Sequence, residues 1–445
     1  MAKNGLLSSQ KASGVVSHNI ANANTPGYTR QRAELSEQIH RQGGFTLGRG
    51  VTIAQVKRLR NNLIDEQIMM KEHELGDLNE RNRIYQQIEG AMVTTTGDGL
   101  DVGITDFFNS FSELSNNPQD INLRHNVLSN ARTLISKFKD MGSDMKDIDE
   151  QTLAAARNRV DKVNTLLGQL ADINADIARA EATGQPDLNS KDRQLELLKT
   201  LSSQITVEAR YQNDGTLEAR VGGVTVLSGT ETATLRPEVD TENRVFRVRL
   251  DNGKLLDIGR GELGADAHMF EEVVPGVRNT LDKIANSVVE QVNALHINGY
   301  GVADNGQRNF FDPAGDTAES IALNQTIVDN PEHIATSSVA GEAGNNDNAL
   351  QIANLQNLSL LDGESLASNA VQMMTDPGMR ITELENRITS RESARQLLIN
   401  QQESQSGVNI DEELSDLIKY QNAYQASARV LNEGQKMYDT LLSIL

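Results

Sequence analysis

The sequence predicts a mainly α-helical protein with one small antiparallel β domain inserted near the middle. Two stretches, 153–177 and 410–445, repeat apolar residues at alternating spacings of three and four, as helices do when they pack against other helices. Between them, apolar and charged side chains alternate over 246–250, which is typical of a strand with one buried face. Only 9 phenylalanines, 7 tyrosines and 8 prolines occur among 445 residues, which favours long helices packed through aliphatic side chains.

The composition excludes several classes of function. A net charge of −20 argues against a nucleic-acid binder, because neutralising phosphates requires a basic surface. The absence of cysteine excludes disulfides, thiolate catalysis and cysteine-ligated metals. There is no run of about 18 apolar residues for a membrane span, and the N-terminus lacks the apolar core of a secretory signal. These features predict a cytoplasmic protein, or one exported without a cleaved signal.

The first sixty residues have the opposite charge to the rest of the chain. Such a basic arm could bind nucleic acid or an anionic membrane. Because its charges are spread out and not clustered, we favour pairing with acidic protein surface, either of this chain or of a neighbour. The only acids in this segment are Glu34 and Glu37. The nine basic residues are Lys3, Lys11, Arg30, Arg32, Arg41, Arg49, Lys57, Arg58 and Arg60.

The N-terminal helix, predicted over 1–24, must end before Pro26, because proline pushes its preceding residue out of the α region. Pro26 and Gly27 fit the central positions of a type II turn, where glycine supplies a positive φ. A glycine-rich stretch up to about Val56 is predicted to be extended or a hairpin, and 59–92 to be a long helix. Its glycines are Gly43, Gly44, Gly48 and Gly50.

Helices are predicted to continue over 106–177, with a break at 116–118, and a further helix covers 188–205. The second half of the first stretch carries a heptad seam. Asn174 is its polar member, of a kind that can fix the register of paired helices. The seam consists of Leu153, Ala156, Val160, Val163, Leu167, Leu170, Asn174 and Ile177.

The predicted β domain covers 206–263. It contains strand patterns at 221–227 and 246–250, with hairpin turn signals at 213–215 and 251–253. Because the flanking helices carry their own seams, we expect this domain to be self-contained and unnecessary for completing them. A helix over 269–295, a loop-rich stretch over 298–344 and a mostly helical remainder follow.

The last helix carries the longest seam, and the acids at 411–413 after Asn409 suit a helix N-terminus. Such a seam needs a partner helix. It could be the core helix of one compact domain, but we favour a seam that remains exposed or mediates assembly. Gln421 and Gln435 are its polar members. Its apolar members are Ile410, Leu414, Leu417, Tyr424, Ala428, Leu431, Tyr438, Leu442 and Leu445.

Enzymatic motifs are missing from the sequence. The seven histidines form no i, i+4 pair, no serine lies in a G-x-S-x-G elbow, and no Walker glycine loop occurs. We therefore predict no catalytic residues, no bound metal and no cofactor.

Two terminal motifs identify a family. The first resembles the N-terminal motif of bacterial flagellar rod, hook and hook-associated proteins. It comprises Asn19, Ile20, Ala21, Asn22, Asn24, Thr25, Pro26, Gly27 and Tyr28. The second, over 406–413 and 420–431, resembles the hook-associated protein 1 family, as do the internal stretches 187–195 and 292–301.

This resemblance implies a structural protein of the hook–filament junction, exported through the flagellar channel to the outside of the cell. The implied partners are further copies of the chain, hook protein, hook-associated protein 3, and an export chaperone at 410–445, with neither nucleic acid nor membrane among them. The implied layout has a terminal coiled coil (1–40 and 405–445), a helical bundle (41–205 and 264–404) and an outward-facing β domain (206–263). The alternatives are another axial protein, namely hook protein or hook-associated protein 3, or a cytoplasmic coiled-coil scaffold.

Overall fold

The computed structural model describes residues 1–42, 45–92, 99–302 and 306–444. As predicted, most of them are helical, with small antiparallel sheets in the middle of the chain. No helix in these ranges is both long and apolar enough to cross a membrane. The helices are α1 (Ala2–Ala21), α2 (Asn62–Met92), α3 (Leu100–Asn116), α4 (Ile121–Ala182), α5 (Leu188–Gln204), α6 (Glu262–His268), α7 (Val274–His296), α8 (Gln325–Asp329), α9 (Asp347–Asn354), α10 (Leu366–Ser406) and α11 (Ile410–Ile444). The strands are β1 (Gln31–Gln42), β2 (Phe45–Arg58), β3 (Glu208–Tyr211), β4 (Leu217–Val221), β5 (Val224–Ser228), β6 (Glu231–Thr232), β7 (Leu235–Asp240), β8 (Val245–Leu250) and β9 (Leu255–Leu256).

The two ends of the chain pack together. Asn19 near the end of α1 contacts Glu413 at the start of α11, whereas Gly5 near the start of α1 lies against Ser427. The two helices are therefore antiparallel. Strands β1 and β2 form the predicted hairpin beside α1, while the glycines at 43 and 44 lie outside the described residues.

Helices α2 and α10 form a second antiparallel pair next to the first. Arg395 pairs with Glu72 at 3.2 Å and Arg391 with Glu74 at 3.0 Å, so residue numbers fall along one helix as they rise along the other. Helix α2 follows α1 after the β1–β2 hairpin, and α10 directly precedes α11, so each terminal helix is connected to a member of the second pair.

Helix α4 has 62 residues, which at 1.5 Å per residue gives a length of about 93 Å. Its first half lies in one hydrophobic core, with α3, α7 and the aromatic cluster around Phe107, Phe310 and Phe311. Its second half lies in another core, with α5, α6 and the sheets. The predicted break at 116–118 separates α3 from α4.

The second core corrects one expectation about the β domain. Val160, Val163 and Leu170 of the α4 seam are fully buried in the same core as Leu217 and Val248 of the strands. The prediction that the strands are unnecessary for completing the α4 seam is therefore wrong. The heptad pattern correctly marked a buried face, but it could not distinguish a helical partner from a sheet.

Two asparagines of α4 dock the sheets through their side-chain amides. Asn174 accepts a hydrogen bond from the backbone N–H of Leu217 at 2.9 Å and donates to its carbonyl at 2.8 Å. Asn164 makes the same pair of contacts with Leu235, both at 2.8 Å. Each amide thus binds the first residue of β4 or β7 as a neighbouring strand would. Asn174, predicted to set helix register, in fact places a strand.

The sheets have the strand orders β3-β4-β5-β6 and β7-β8-β9. Three of their four edges, β6, β7 and β9, are unsuited to pairing with another chain, because β6 and β9 have two residues each and β7 contains Pro237. After the strands, the helical region begins at Glu262, before the predicted start at Met269, since Gly261 makes the turn with φ 93°.

A buried charged cluster joins α2, α4 and α6. Arg159 forms ion pairs with Glu80 and Glu262 and contacts the carboxyl of Asp266, and Glu80 also pairs with Arg83. Burial raises the pKa of the Asp266 carboxyl to about 8, with Arg159 opposing the shift and Glu80 adding to it. Asp266 is therefore protonated at neutral pH, which lets two carboxyls lie close together in a buried site.

The loop-rich stretch over 298–344 is held in place by buried polar side chains. The fully buried Arg124 donates to the carbonyls of Pro118 and Ile334, each at 2.6 Å. His296 Nδ1 contacts the carbonyl of Arg308 at 2.7 Å, and its Nε2 accepts from the N–H of Ala335 at 2.9 Å. Burial lowers the pKa of His296 to about 4, so the ring is neutral and can accept this bond.

Candidate functional site: the junction of the terminal helices

The N-terminal motif forms the predicted turn at the end of α1. The N–H of Tyr28 donates to the carbonyl of Thr25 at 3.2 Å, which places Pro26 and Gly27 at the two central positions. Gly27 has φ 78°, as the third residue of a type II turn requires. This turn reverses the chain, so that Tyr28 comes back beside the last turn of α1.

Asn19 connects the turn to α11. Its amide donates to the carbonyl of Gln31 at 2.8 Å and to Glu413 Oε2 at 2.9 Å. Its side-chain oxygen accepts from the Tyr28 hydroxyl at 2.7 Å and from the N–H of Gln31 at 3.0 Å. Asn19 is fully buried, and all four of these hydrogen-bonding positions are used. Few residues of similar size could replace it.

Glu413 is the second centre of this junction. Arg30 donates through Nε to Glu413 at 2.6 Å and through Nη1 to Glu412 at 2.6 Å. Burial alone would lower the pKa of the Arg30 guanidinium, but its contacts with both glutamates outweigh burial and raise it. The Glu413 side chain is only 2% exposed. The ion pair with Arg30 and the hydrogen bond from Asn19 therefore have to offset the cost of removing this carboxylate from water.

Tyr28 is held as a hydrogen-bond donor. Burial raises the pKa of its hydroxyl well above the usual value, and the carboxylates of Asp192 and Glu413 add to the shift. His18 Nδ1 lies 2.9 Å from the same hydroxyl, and the two rings contact each other. The hydroxyl therefore keeps its proton and stays bound to Asn19 over the ordinary pH range.

The other motif residues lie around this buried centre. Ile20 and Asn22 are half-buried, whereas Ala21, Asn24, Thr25, Pro26 and Gly27 are exposed on the turn. The motif therefore combines a few residues that bind α11 with others that only shape the chain reversal.

The basic residues of the first sixty pair partly with the chain itself. Arg30 binds α11, Arg58 binds Asp192 and Arg60 binds Asp65. For these three residues, the predicted pairing with acidic surface of this chain is confirmed.

The α11 seam divides into two parts. Leu417 and Ala428 are partly buried where α1 runs alongside. Every residue from 429 to 443 is exposed, including Leu431, Tyr438 and Leu442 at 38, 63 and 56%. The remaining described seam residues, Ile410, Leu414 and Tyr424, are exposed as well, and Leu445 lies outside the described residues. We call the segment 429–443 the overhang.

Enzymatic geometry is missing from the described part of the chain. There, no group of three or more histidines and acids is placed to hold a metal ion. A groove along α7 with a volume of about 610 Å³ is lined mainly by asparagines and acids, with neither histidine nor serine among the described lining residues.

Sequence reasoning did not single out Glu413, Arg30 or Asp192. The sequence marks Glu413 as an acid at a helix N-terminus within a family-like stretch, and Arg30 as a basic residue beside the N-terminal motif, but it assigns neither a partner. The available signal is weak: Arg30 lies two residues after the motif, and Glu413 lies in the first turn of the seam helix. Their contact across the chain could be found only once the two ends were placed together.

Three family matches cover much of the chain. Residues 85–311 match the family described as the flagellar hook-associated protein FlgK helical domain. Residues 1–29 match the flagella basal body rod protein family, and residues 401–444 match the C-terminal family of the flagellar basal body rod proteins FlgEFG.

Individual relatives match over the full length. The chain is 26% identical to flagellar hook-associated protein 1 of Bacillus subtilis, over 99% of this chain and 97% of that protein. It is 24% identical to the protein of the same name from Salmonella typhimurium, over 100% of this chain and 99% of that one. These alignments run over 493 and 549 positions, so parts of both relatives have no counterpart among the 445 residues here.

The fold is also similar to a solved structure, that of the flagellar hook junction protein FlgK from Burkholderia pseudomallei. The TM-score is 0.64 at 12% identity, covering 76% of this chain and 99% of the other. At this identity the likeness concerns the fold alone.

Proposed function

The chain belongs to the FlgK family of flagellar hook-associated proteins, and from this premise we propose that it joins the flagellar hook to the filament. It is a structural protein and not an enzyme. The observation that carries the proposal is the joined pair α1–α11, which ends in an overhang whose apolar side chains the described chain leaves exposed.

The overhang supplies a physical reason for assembly. Burying a leucine or a similar side chain stabilises a folded or assembled state by about 1.5–3 kcal/mol. Covering Leu431, Tyr438 and Leu442 would therefore make several such contributions to the free energy of association. A helix from another subunit fits this need, because the seam has heptad spacing. We infer that the terminal coiled coil of 1–40 and 405–445 lies inside the assembly and bonds each subunit to its neighbours.

The partners of this protein belong to the flagellar axial assembly. Within that assembly, we infer contacts with further copies of the chain, with hook protein on one side and with hook-associated protein 3 on the other. Before export, the same seam would be held by a chaperone, which explains how an apolar helix could remain soluble. After export, the location is the flagellum outside the cell.

The helical bundle of 41–205 and 264–404 would then surround the inner helices, with the β domain of 206–263 facing outward. Short edge strands and Pro237 argue against strand pairing between neighbouring β domains. We therefore assign lateral cohesion to helices and not to sheet extension.

The alternatives weighed on the sequence are less well supported. Hook protein and hook-associated protein 3 are different axial proteins, whereas the full-length relatives are named hook-associated protein 1. A cytoplasmic scaffold would not explain similarity to axial proteins at both termini.

The test is deletion of the coding sequence from the flagellated source strain, followed by electron microscopy. We expect hooks without filaments and flagellin released into the medium, with both defects restored by the parent chain. Restoration should fail for a chain shortened after residue 428, which lacks the overhang, provided that this chain is still exported. Normal filaments in the deletion strain would overturn the junction function.

A further inference from the structure

Three segments lie side by side where the terminal pair meets the body, which consists of α2–α10 with the two central sheets, and two of them, 58–61 and 406–409, carry the chain between the two parts. The backbone N–H of Arg30 donates to the carbonyl of Ser406 at 3.0 Å. The N–H of Leu59 donates to the carbonyl of Arg30 at 2.9 Å. We call these three segments, 28–31, 58–61 and 406–409, the neck. Any motion of the terminal pair relative to the body must bend 58–61 and 406–409 together, and it moves 28–31 beside them.

Asp192, a buried acid of the body, binds two of these segments, 28–31 and 58–61. Asp192 on α5 accepts from the backbone N–H of Thr29 at 3.2 Å through one oxygen, and from Arg58 Nη1 at 2.7 Å through the other. Its side chain is 9% exposed and that of Arg58 is 11% exposed. Both are thus largely removed from water, where an ion pair is screened less than on the surface. This carboxylate connects the neck to α5.

Helix α5, which carries Asp192, is itself held by packing in the body. Its buried residues Leu195, Leu198 and Leu201 face the interior, and the last two belong to the core shared by α4 and the sheets. The position of Asp192 is therefore fixed by the packing of the body, and Asp192 can act as a reference point for the neck.

A second contact on α5 is steric. One turn beyond Asp192, the stem of Glu196 passes so close to Gly27 that an added Cβ would lie 2.8 Å from Glu196 Cγ. The turn 25–28 therefore lies directly on α5, and a larger residue at position 27 would have to displace the side chain of Glu196. Gly27 is needed here for its positive φ and for the space that it leaves.

From these two contacts we propose that Asp192 is a positioning residue that fixes the direction of the α1–α11 pair relative to the helical body. The inference rests on the proposed function, because helices that line an assembly must keep one direction while the bodies face outward. Without the carboxylate, Arg58 is left largely buried without its partner and the Thr29 N–H loses a charged acceptor. The pair α1–α11 stays intact, since its own contacts through Asn19 and Glu413 do not involve Asp192.

The test is a distance measurement in the purified full-length protein. The chain has no cysteine, so Lys419→Cys on α11 and Arg179→Cys on α4 introduce the only two sites for spin labels. Pulsed electron resonance then gives the distribution of distances between the pair and the body. We expect one narrow peak in the parent, and a broadened distribution with loss of that peak in Asp192→Asn and in Arg58→Gln.

Two further variants separate the contacts. Glu196→Gln is the matched control, because it also removes one negative charge from α5 but keeps the stem beside Gly27, and it should keep the narrow peak. Gly27→Ala should broaden the distribution without any change of charge. The double variant Asp192→Asn/Arg58→Gln should be no broader than Asp192→Asn alone, because the ion pair that Arg58→Gln removes is already lost in that variant.

Unchanged distributions in Asp192→Asn and Gly27→Ala, with parental helix content by circular dichroism, would overturn the proposal. A broadened distribution in Glu196→Gln equal to that of Asp192→Asn would also overturn it, because a nonspecific effect of charge would then suffice. The measurement is made on isolated protein. The proposed junction function could fail in the deletion strain while this distance result stands, and the reverse also holds.

Discussion

Asn19 and Glu413 are 394 positions apart in the chain, yet a buried hydrogen bond of 2.9 Å joins them. One residue belongs to the N-terminal motif and the other to the helix with the longest seam. The bond explains why the N-terminal motif and the C-terminal seam helix occur in one protein, because each contributes a buried polar group that binds the other.

Asn19→Ala should loosen the terminal pair. The substitution removes two hydrogen-bond donors and one oxygen that accepts two hydrogen bonds from a buried site, and Glu413 loses one of its donors. Each buried group left without a partner costs about 1–3 kcal/mol of stability. Amide hydrogen exchange should rise in α1 and in the first half of α11, and remain parental in α4. Asn4→Ala is the control, because Asn4 is only half-buried on the same helix and its amide makes a long, solvent-exposed contact with Gln38 at 3.5 Å. Equal exchange in both variants would contradict the role of Asn19.

The ends of the isolated protein should be sensitive to protease. The overhang is exposed throughout, and the pair it extends has few neighbours. We expect cleavage within Val408–Leu445 first, followed by Met1–Arg41, and protection of both in assembled flagella. Strong amide protection of the overhang in a dilute monomer would contradict this expectation.

Charges on the α11 seam should have different effects along its length. Leu431→Asp changes an exposed residue of the overhang, so the monomer should fold normally while assembly fails. An unpaired carboxylate that becomes buried costs several kcal/mol or forces its own protonation. Leu417→Asp, beside α1, should also loosen the terminal pair. Gln425→Asp, an exposed polar position on the same helix, is the control. Motility and electron microscopy report assembly, and parental filaments with Leu431→Asp would exclude the overhang as an interface.

The buried cluster around Arg159 should make stability depend on pH. Because the pKa of Asp266 is raised to about 8 in the folded protein, the folded state holds a proton that the unfolded state releases above about pH 4. The contribution of Asp266 to stability is therefore full below about pH 4, falls as pH rises, and is lost above about pH 8. Urea unfolding at several pH values should show that the free energy of unfolding falls less with rising pH in Asp266→Asn than in the parent, because the asparagine stays neutral. Asp176→Asn, exposed on α4, should keep the parental slope.

Replacing the β domain of 206–263 with a short Gly/Ser linker should destabilise the helical body. The strands cover the buried seam of α4, so their removal exposes Val160, Val163 and Leu170 to water. Asn174→Ala is the milder version, because it removes the bonds to Leu217 but leaves the strands in place. Thermal unfolding should rank the deletion below Asn174→Ala, and both below the parent. A deletion with parental stability would restore the view of a self-contained domain.

The sequence predicted local features well, because they depend on neighbouring residues. The turn at 25–28 follows from proline and glycine chemistry, and the buried face of α4 follows from its heptad spacing. Partners were harder to predict. Asn174 on a seam suggests another helix, and only the fold reveals that it binds a strand. Arg30, Glu413 and Asp192 meet through chain topology, which no local pattern contains.

The 62-residue α4 also determines how the molecule responds to mechanical load. One uninterrupted helix passes through both hydrophobic cores, and it contains no proline, the residue most often found at sharp kinks. The two cores therefore cannot pivot about each other unless backbone hydrogen bonds of α4 break. If torque acts on one core, α4 would transmit it to the other core. Bending of the molecule would then be confined to the neck.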